Sequence, residues 1–316
     1  MNFTAFWHTL GPNTISGLVV GSIIALFALG YTLVYGVLRL INFAHSEVFM
    51  VGTFAAAAAW SAVGVTTNSV LPGFWGLAAL IVLGLVAAVI ASGGTALVVE
   101  LVAYRPLRRR NAPPLAFLIT AIGASLVISE TFGVFTHHNQ RGTARLVPVH
   151  DLLVFGDTHI TVLDVLVVGL ALVMMFALDR FVGRTKMGRG IRAVAQSPDN
   201  AALMGVNKDR IISLVFLLGG LMAGVAAVMY LLRVANAQYD AGFTLGIQAF
   251  TAAVLGGIGN LRGALVGGLV LGLCELYGGA LFGTAWQNVV AFVVLVAVLM
   301  FRPTGILGEA LGRARA

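Results

Sequence analysis

The chain has 316 residues, of which 59% are hydrophobic and only 10% are charged, and its formal net charge is +7. Soluble globular proteins carry about 25% charged residues, so this composition excludes a water-soluble fold, which would have no place for so much apolar surface. Cys274 is the only cysteine, and the six histidines show no paired ligand spacing, so we expect no disulfide, metal or cofactor. The basic excess lies in short gaps between long apolar runs, which is typical of membrane proteins rather than of nucleic-acid-binding proteins.

Apolar runs long enough to span a membrane, about 20 residues each, follow one another along the chain. The first seven residues contain no Lys or Arg, so we expect the first run to be a retained helix rather than a cleaved signal. A polar run ending in Pro72 and Gly73 divides the long uncharged stretch 48–99 into two spans. We predict nine spans, at 14–38, 43–62, 74–99, 115–135, 161–182, 211–232, 243–258, 264–283 and 286–301.

These spans predict an all-α fold, a polytopic bundle of eight or nine transmembrane helices that forms one domain over residues 1–316. The segment 243–258 is short and rich in glycine, so a broken or re-entrant segment is the alternative to a crossing there. Glycines spaced four residues apart let helices approach closely in lipid. Such pairs predict close helix contacts at Gly17 and Gly21, Gly220 and Gly224, Gly263 and Gly267, and Gly268 and Gly272.

The basic residues predict the orientation of the bundle, because cytoplasmic loops are rich in Lys and Arg. They follow spans three and five, precede span six and close the chain: Arg105, Arg108, Arg109, Arg110, Arg180, Arg184, Lys186, Arg189, Arg192, Lys208, Arg210, Arg302, Arg313 and Arg315. Nine spans place them all on one side, so we predict an external N-terminus and a cytoplasmic C-terminus. The external loop 136–160 is the exception, with Arg141 and Arg145. Aromatic residues near span ends predict interface anchors at Trp7, Trp60, Trp75, Trp286 and Tyr31.

The loop 184–210 has the features of a short surface helix. Ser197 can cap a helix and Pro198 suits its first position, while Gly205 is a natural stop. Between them lie small residues, Asn200, Ala201 and Ala202. A plain basic connector and a docking helix for a partner are the two interpretations. The chain has no Gly-rich phosphate loop ending in Lys-Ser or Lys-Thr, so ATP-driven transport would require hydrolysis by another subunit.

The same loop resembles the coupling loop of ABC importer permeases, and more closely that of branched-chain amino acid importer permeases. The similarity lies in residues 188–196 (GRGIRAVAQ) and 200–206 (NAALMGV). The general pattern is Glu-Ala-Ala, three residues and Gly, whereas here Asn200 replaces the glutamate and two residues precede Gly205. The resemblance extends over residues 14–308 through INFAHSEVFM (41–50), YRPLR (104–108), LITAIG (118–123), LGGIGNLRGA (255–264) and FRPTGILG (301–308).

What the resemblance implies is a bacterial inner-membrane permease that is not itself an enzyme. Its complex would contain a second permease, two ATP-binding cassette ATPases and an extracytoplasmic solute-binding protein. The docking residues it implies are Arg189, Arg192, Pro198, Asn200, Ala201, Ala202 and Gly205. The substrate would be a branched-chain or similar amino acid that crosses by alternating access. Two alternatives remain: a permease for urea or short amides, and an ion-coupled carrier using Glu47, Glu130 or Glu275.

Polar groups inside a membrane are costly and are therefore candidates for a transport pathway. Asn42, His45 and Glu47 interrupt the apolar run at the start of span two, where they could contact the ammonium and carboxylate of an amino acid. The structural alternatives are an ion pair of Glu47 with Arg39 and a helix cap by Asn42. Further along the chain, Gly256 and Gly257 predict a turn before span eight, with a gate as the alternative. Glu275 lies near the middle of span eight and is a further pathway candidate, although we expect interhelical packing rather than substrate contact. An ion pair with Arg262 is excluded, because about 20 Å of helix separates the two residues.

Overall fold

A computed structural model describes residues 3–65, 73–147, 151–155, 158–302 and 304–308. It is a helical bundle with two small sheets. The helices are α1 (Phe3–Leu38), α2 (His45–Ala62), α3 (Phe74–Val99), a π-helical turn (Glu100–Tyr104), α4 (Arg105–Arg109), α5 (Pro114–Thr136), α6 (Val162–Arg184), α7 (Lys186–Gln196), α8 (Pro198–Leu203), α9 (Lys208–Val234), α10 (Ala241–Gly256), α11 (Leu261–Phe282), a 3-10 turn (Thr284–Trp286) and α12 (Gln287–Phe301).

Each of the nine predicted spans coincides with a helix, which confirms the polytopic all-α fold. In the described part of the chain, seven helices are long and apolar enough to cross a membrane. The other two are α2 and α10. Helix α10 is continuous, so the broken form of 243–258 is wrong, but its 16 residues span about 24 Å against a hydrocarbon core of about 30 Å. Crossing by α2 and α10 stays a prediction.

The helices form a buried centre and an exposed periphery. Helix α1 lies in the middle and packs against α11, α9 and α10, while α2 packs between α3 and α9. Most of α1 and α9 is buried, whereas most residues of α3, α5, α6 and α12 are at least partly exposed. Their exposed side chains are mostly apolar, including Ile90, Leu126, Phe176 and Val293. Lipid or an apolar partner therefore suits the periphery.

Glycine pairs produce the closest helix contacts, as the four-residue spacing predicts. At Gly272 of α11, an added Cβ would lie 2.4 Å from the backbone oxygen of Gly17 and 2.5 Å from the Cα of Gly21. At Gly224 of α9, it would lie 2.8 Å from the backbone oxygen of Ala88 in α3. Because backbone stands opposite backbone at these points, only glycine fits between the helices.

One end of the bundle collects the predicted cytoplasmic groups. The C-terminal part of α1 meets the α10–α11 turn at Gly36 and Gly259. Segment 304–308 donates backbone hydrogen bonds from Ile306 and Leu307 to the end of α10. Arg108 reaches Asp209 at the start of α9, and Arg262 pairs with Asp179 near the end of α6. The basic residues from Arg105 to Arg302 on which the predicted cytoplasmic side was based therefore share this end. Arg313 and Arg315 lie outside the described residues.

The opposite end carries the two small sheets, which the sequence did not predict. Strand β2 (Asp151–Phe155) pairs with β3 (Thr158–Thr161), and β1 (Arg141–Gly142) pairs with β4 (Asn236–Ala237). Both sheets are antiparallel. They cover the ends of α1 and α9, and Arg141 of the predicted external loop lies in β1.

Two of the predicted interface anchors are wrong. Trp60 is buried and donates from Nε1 to the backbone oxygen of Leu80 at 2.8 Å, and Tyr31 is buried among the central helices. Trp75 and Trp286 are exposed, as an anchor requires. The side chain of Trp7 lies outside the described residues. Nearness to a span end in sequence does not place a side chain at the surface when the helix itself is central.

Candidate functional site

A group of buried polar side chains lies at the start of α2, in the centre of the bundle. Asn42, His45, Ser46 and Glu47 are all nearly inaccessible. They precede or occupy the first turn of α2, because the helix begins at His45 after the irregular segment that follows α1. Burying so many polar groups in an apolar bundle is costly, so their retention favours a functional role.

Glu47 is held by two hydroxyl groups and has one free oxygen. Its Oε1 accepts hydrogen bonds from Ser46 Oγ at 3.2 Å and from Ser125 Oγ of α5 at 3.1 Å. Its Oε2 has no hydrogen-bond partner among the described residues and faces Gly242 of α10, where an added Cβ would lie 2.9 Å away. Arg39 is exposed and forms no ion pair with Glu47, so that structural alternative is wrong.

His45 lies in an aromatic environment. Its ring centroid is 4.9 Å from that of Tyr31 and 5.3 Å from that of Phe27. Its Nε2 has no hydrogen-bond partner in the described part of the chain and points at Gly30 of α1, where a Cβ would clash. The ring therefore fills space between α1 and α2.

Asn42 is bound by a tyrosine from the π-helical turn. The Tyr104 hydroxyl donates to Asn42 Oδ1 at 3.0 Å, and both side chains are buried. The cap of α2 is Ala44, which makes no side-chain cap hydrogen bond. The structural alternative, in which the Asn42 side chain caps the helix, is therefore wrong. Its backbone oxygen does accept from the His45 amide at 3.1 Å.

A small pocket opens beside Asn42. Its volume is about 10 Å³, which is room for roughly one water molecule, so an amino acid enters only if the surrounding helices move apart. Most of the side chains that line the pocket are apolar or aromatic, and Asn42 is the one amide among them. The lining residues are Tyr31, Tyr35, Leu40, Ile41, Asn42, Phe250, Ala253 and Ile258. An apolar wall with few polar groups is the usual composition of a small-molecule site.

Gly256 and Gly257 form a turn, as predicted. Helix α10 ends at Gly256, and Gly257 has φ of 104°, a conformation that favours glycine. An added Cβ on Gly257 would lie 2.4 Å from the Gly308 amide nitrogen. The turn is closed by the C-terminal segment, and Asn260 then caps α11 by accepting from the amides of Arg262 and Gly263.

Glu275 is buried in α11, apart from the α2 group. Its Oε1 has no hydrogen-bond partner among the described residues. Arg262 pairs with Asp179 of α6 at 3.0 Å, which confirms that Arg262 is not the partner of Glu275. No group of three His, Cys, Asp or Glu residues in the described part of the chain could hold a metal ion.

The loop 184–210 contains the predicted short helix. Thr185 caps α7 through the Gly188 amide at 2.9 Å, and Ser197 caps α8 through the Asn200 amide at 3.4 Å. Gly205 has φ of 81° and ends the helical segment. Arg189 is exposed, and Arg192 is exposed with a hydrogen bond to the backbone oxygen of Val182.

The surface of α8 combines small residues with two large apolar ones. Ala201 is buried against the protein, whereas Pro198, Asn200 and Ala202 are exposed. Leu203 and Met204 are 85% and 87% exposed. They lie at the end of the bundle that collects the basic residues. The sequence pattern drew attention to the small residues of this helix and not to Leu203 and Met204, although the two directly precede Gly205.

Glu100 and its partners are a second group that sequence reasoning missed. Glu100 is fully buried and lies between Arg105 at 3.1 Å and Arg108 at 3.0 Å. Ser213 Oγ of α9 lies 3.0 Å from Glu100 Oε2, and Arg108 also reaches Asp209 at 2.8 Å. The sequence did contain a signal for this group, because Glu100 ends the long uncharged stretch 48–99 and arginines follow it closely.

Comparison with known proteins decides the family. A family model described as the permease component of the branched-chain amino acid transport system matches residues 13–299. The chain belongs to this family. The permease is 39% identical over 308 residues to the high-affinity branched-chain amino acid transport system permease protein BraD of Pseudomonas aeruginosa, covering 96% of this chain and 97% of that protein. It is 38% identical over 302 residues to the corresponding protein LivH of Escherichia coli, covering 93% and 94%.

A shorter similarity reaches sugar permeases. The permease is 35% identical over 125 residues, 37% of its length, to the ribose import permease protein RbsC of Escherichia coli. The resemblance to branched-chain amino acid permeases found in the sequence motifs is thus confirmed over nearly the whole chain, and the permease is a transport component rather than an enzyme.

Proposed function

We propose that this permease moves branched-chain amino acids into the cell across the bacterial inner membrane, as part of an ATP-driven importer. The observation that carries the proposal is the identity of 39% over 96% of the chain with a permease of that named substrate class. The similarity to a sugar permease covers only 37% of the chain, so it supports a shared transport architecture rather than a sugar substrate.

The proposed complex contains two ATPase subunits, a solute-binding protein outside the membrane and a second, related permease. The exposed helix α8 is the proposed ATPase contact, together with Arg189 and Arg192. Leu203 and Met204 add an apolar surface that a groove on the ATPase would cover. The collection of basic residues at this end supports a cytoplasmic location for it and an external N-terminus.

The proposed pathway runs beside the first turn of α2. A branched-chain amino acid has an apolar side chain and two charged groups, and the pocket next to Asn42 offers an apolar wall with a polar group at its edge. The free oxygen of Glu47 is the proposed partner of the ammonium group in a state where Gly242 of α10 has moved away from Glu47. Glu275, which is buried apart from this group, is assigned to helix packing, and Gly256 and Gly257 to a fixed turn.

The uptake spectrum of the reconstituted complex tests the function. Proteoliposomes containing the permease and its cognate subunits should import leucine, isoleucine and valine in the presence of ATP, with vanadate abolishing uptake. Urea and short amides should compete poorly. Uptake by the permease alone that follows an ion gradient would instead identify a secondary carrier, and saturable uptake of urea in preference to leucine would identify an amide permease.

Glu47→Gln tests the proposed ammonium contact. The substitution keeps the size and hydrogen-bonding ability of the side chain but removes its charge, so we expect leucine uptake to fall at least tenfold, or about 1.4 kcal/mol of lost stabilisation. Membrane abundance should remain normal. The matched control is Glu130→Gln, since Glu130 is an exposed carboxylate on α5 and its loss should leave uptake unchanged. Normal uptake by the Glu47→Gln variant would remove Glu47 from the pathway.

A further inference from the structure

The π-helical turn Glu100–Tyr104 holds two buried groups that have different partners. At its start, Glu100 binds Arg105 and Arg108 and contacts Ser213 of α9. At its end, the Tyr104 hydroxyl donates to Asn42. π-Helical turns are rare and occur often at functional sites. This one joins α3 to α4 without a break in the helix.

The Glu100 end of the turn is fixed to the beginning of α9. Arg105 donates to Ser213 at 2.6 Å, and Arg108 to Asp209 Oδ1 at 2.8 Å. Arg109 adds a longer contact to Asp209 Oδ2 at 3.4 Å. Because Glu100 is buried and charged, it requires these cations, since an unpaired carboxylate would be costly there. A displacement of the first turn of α9 therefore acts directly on Glu100.

The first turn of α9 is also where the proposed ATPase-docking loop ends. Lys208 lies 3.5 Å from Asp199 of α8. Gly190 of α7 packs so closely on Ile211 of α9 that a Cβ would lie 2.7 Å from the isoleucine Cδ1. Helices α7 and α8 thus rest on the start of α9, and movement of the docking loop passes to Asp209 and Ser213.

The Tyr104 end of the turn is fixed to the proposed pathway. The Tyr104 ring is fully buried and packs against Phe117 of α5 and Phe216 of α9, with centroid distances of 5.8 and 5.1 Å. Its partner Asn42 lines the pocket and precedes the turn of α2 that carries Glu47. Contacts therefore run from the exposed Asp199–Lys208 ion pair at α8, through the part-buried Asp209 and Arg108, to the buried Glu100, Tyr104 and Asn42.

We propose that the turn Glu100–Tyr104 couples ATPase binding to the pathway by switching between π- and α-helical geometry, with Glu100 and Tyr104 as positioning residues. This inference rests on the proposed function. A π-turn contains one residue more than an α-turn, so conversion rotates the following residues by roughly 100° about the helix axis. Such a rotation removes the Tyr104 hydroxyl from Asn42. The two geometries supply the discrete states that coupling between distant sites needs.

Tyr104→Phe tests the switch, because it retains the ring and removes only the hydroxyl that binds Asn42. In proteoliposomes with all cognate subunits, we expect ATP hydrolysis stimulated by the solute-binding protein to stay within twofold of wild type. Leucine transported per ATP should fall at least fivefold. The matched control is Ser92→Ala, which also removes a buried hydrogen bond, in this case between α3 and α2, from Ser92 Oγ to the Val48 backbone oxygen. It should leave that ratio unchanged.

Glu100→Gln tests the other end of the turn. The amide keeps its volume but loses the charge that holds two arginines, so the ratio of leucine transported to ATP hydrolysed should fall here too. A parallel fall of uptake and hydrolysis in both variants, or an unchanged ratio in both, would overturn the inference. Wild-type proteoliposomes in the same series report separately on the proposed function, since their failure to import leucine would contradict that function and not the coupling role.

Discussion

Gly272→Leu is expected to prevent the bundle from assembling. An added Cβ at this position would already lie 2.4 Å from the Gly21 amide nitrogen and from the Gly17 backbone oxygen in α1. Backbone atoms cannot move aside as a flexible side chain can, so α1 and α11 must separate. Overpacking a core usually costs about 1–3 kcal/mol, and separation of two central helices should exceed that range. We expect the folded permease in membranes to fall at least tenfold, measured by fluorescence-detected size-exclusion chromatography.

Gly94→Leu is the matched control for this prediction. Gly94 also lies within a long apolar helix, but it is exposed and a Cβ there would meet nothing within 4 Å. The same change of residue type should therefore leave abundance near the wild-type level. Equal losses for both variants would show that any leucine in these helices is harmful and would contradict the role of close α1–α11 contact.

The double substitution Leu203→Ser and Met204→Ser is expected to abolish capture of the ATPase. The two side chains are at least 85% exposed, so their removal costs the isolated permease little. In the proposed complex they are buried against the ATPase, where large side chains at an interface can each contribute about 2 kcal/mol or more. We expect at least a hundredfold weaker binding of the ATPase in detergent and a corresponding loss of ATP-dependent uptake, with normal permease abundance.

An apolar pair at the other end of the bundle supplies the control. Leu152 and Leu153 of β2 are 54% and 53% exposed, and their replacement with serine should not alter ATPase capture. Undiminished capture by the Leu203→Ser, Met204→Ser variant would place the ATPase contact elsewhere. Capture lost equally in both double variants would indicate general instability rather than a docking surface.

Local features of the sequence were sufficient to predict the long apolar helices and the two ends of α8. The nine apolar runs became helices because only helices satisfy every backbone hydrogen bond in lipid. Ser197, Pro198 and Gly205 enclosed α8 as their capping preferences require. The glycine spacing also indicated where helices would touch, because four residues return to the same face.

Residues whose roles depend on distant partners were harder to predict. Asn42 was known to be polar and intramembrane, but its partner Tyr104 is 62 positions away. Likewise, Ser125 is 78 positions from Glu47. No spacing rule relates such pairs, because which faces of α2, α3 and α5 meet depends on the packing of the entire bundle. For the same reason Trp60 and Tyr31, near helix ends, were misplaced at the membrane interface.

Composition and the lengths of the apolar runs thus determined that this chain enters a membrane and where its long helices lie. These properties depend on the transfer of single segments from water to lipid, and the residues of each segment determine its own transfer free energy. Tertiary structure alone decided which of the few buried polar groups are paired, as Glu100 is with two arginines, and which are left with a free oxygen, as Glu47 is. That difference arises from contacts between helices, because a charged group in an apolar interior is stabilised by whatever neighbours the packing brings to it.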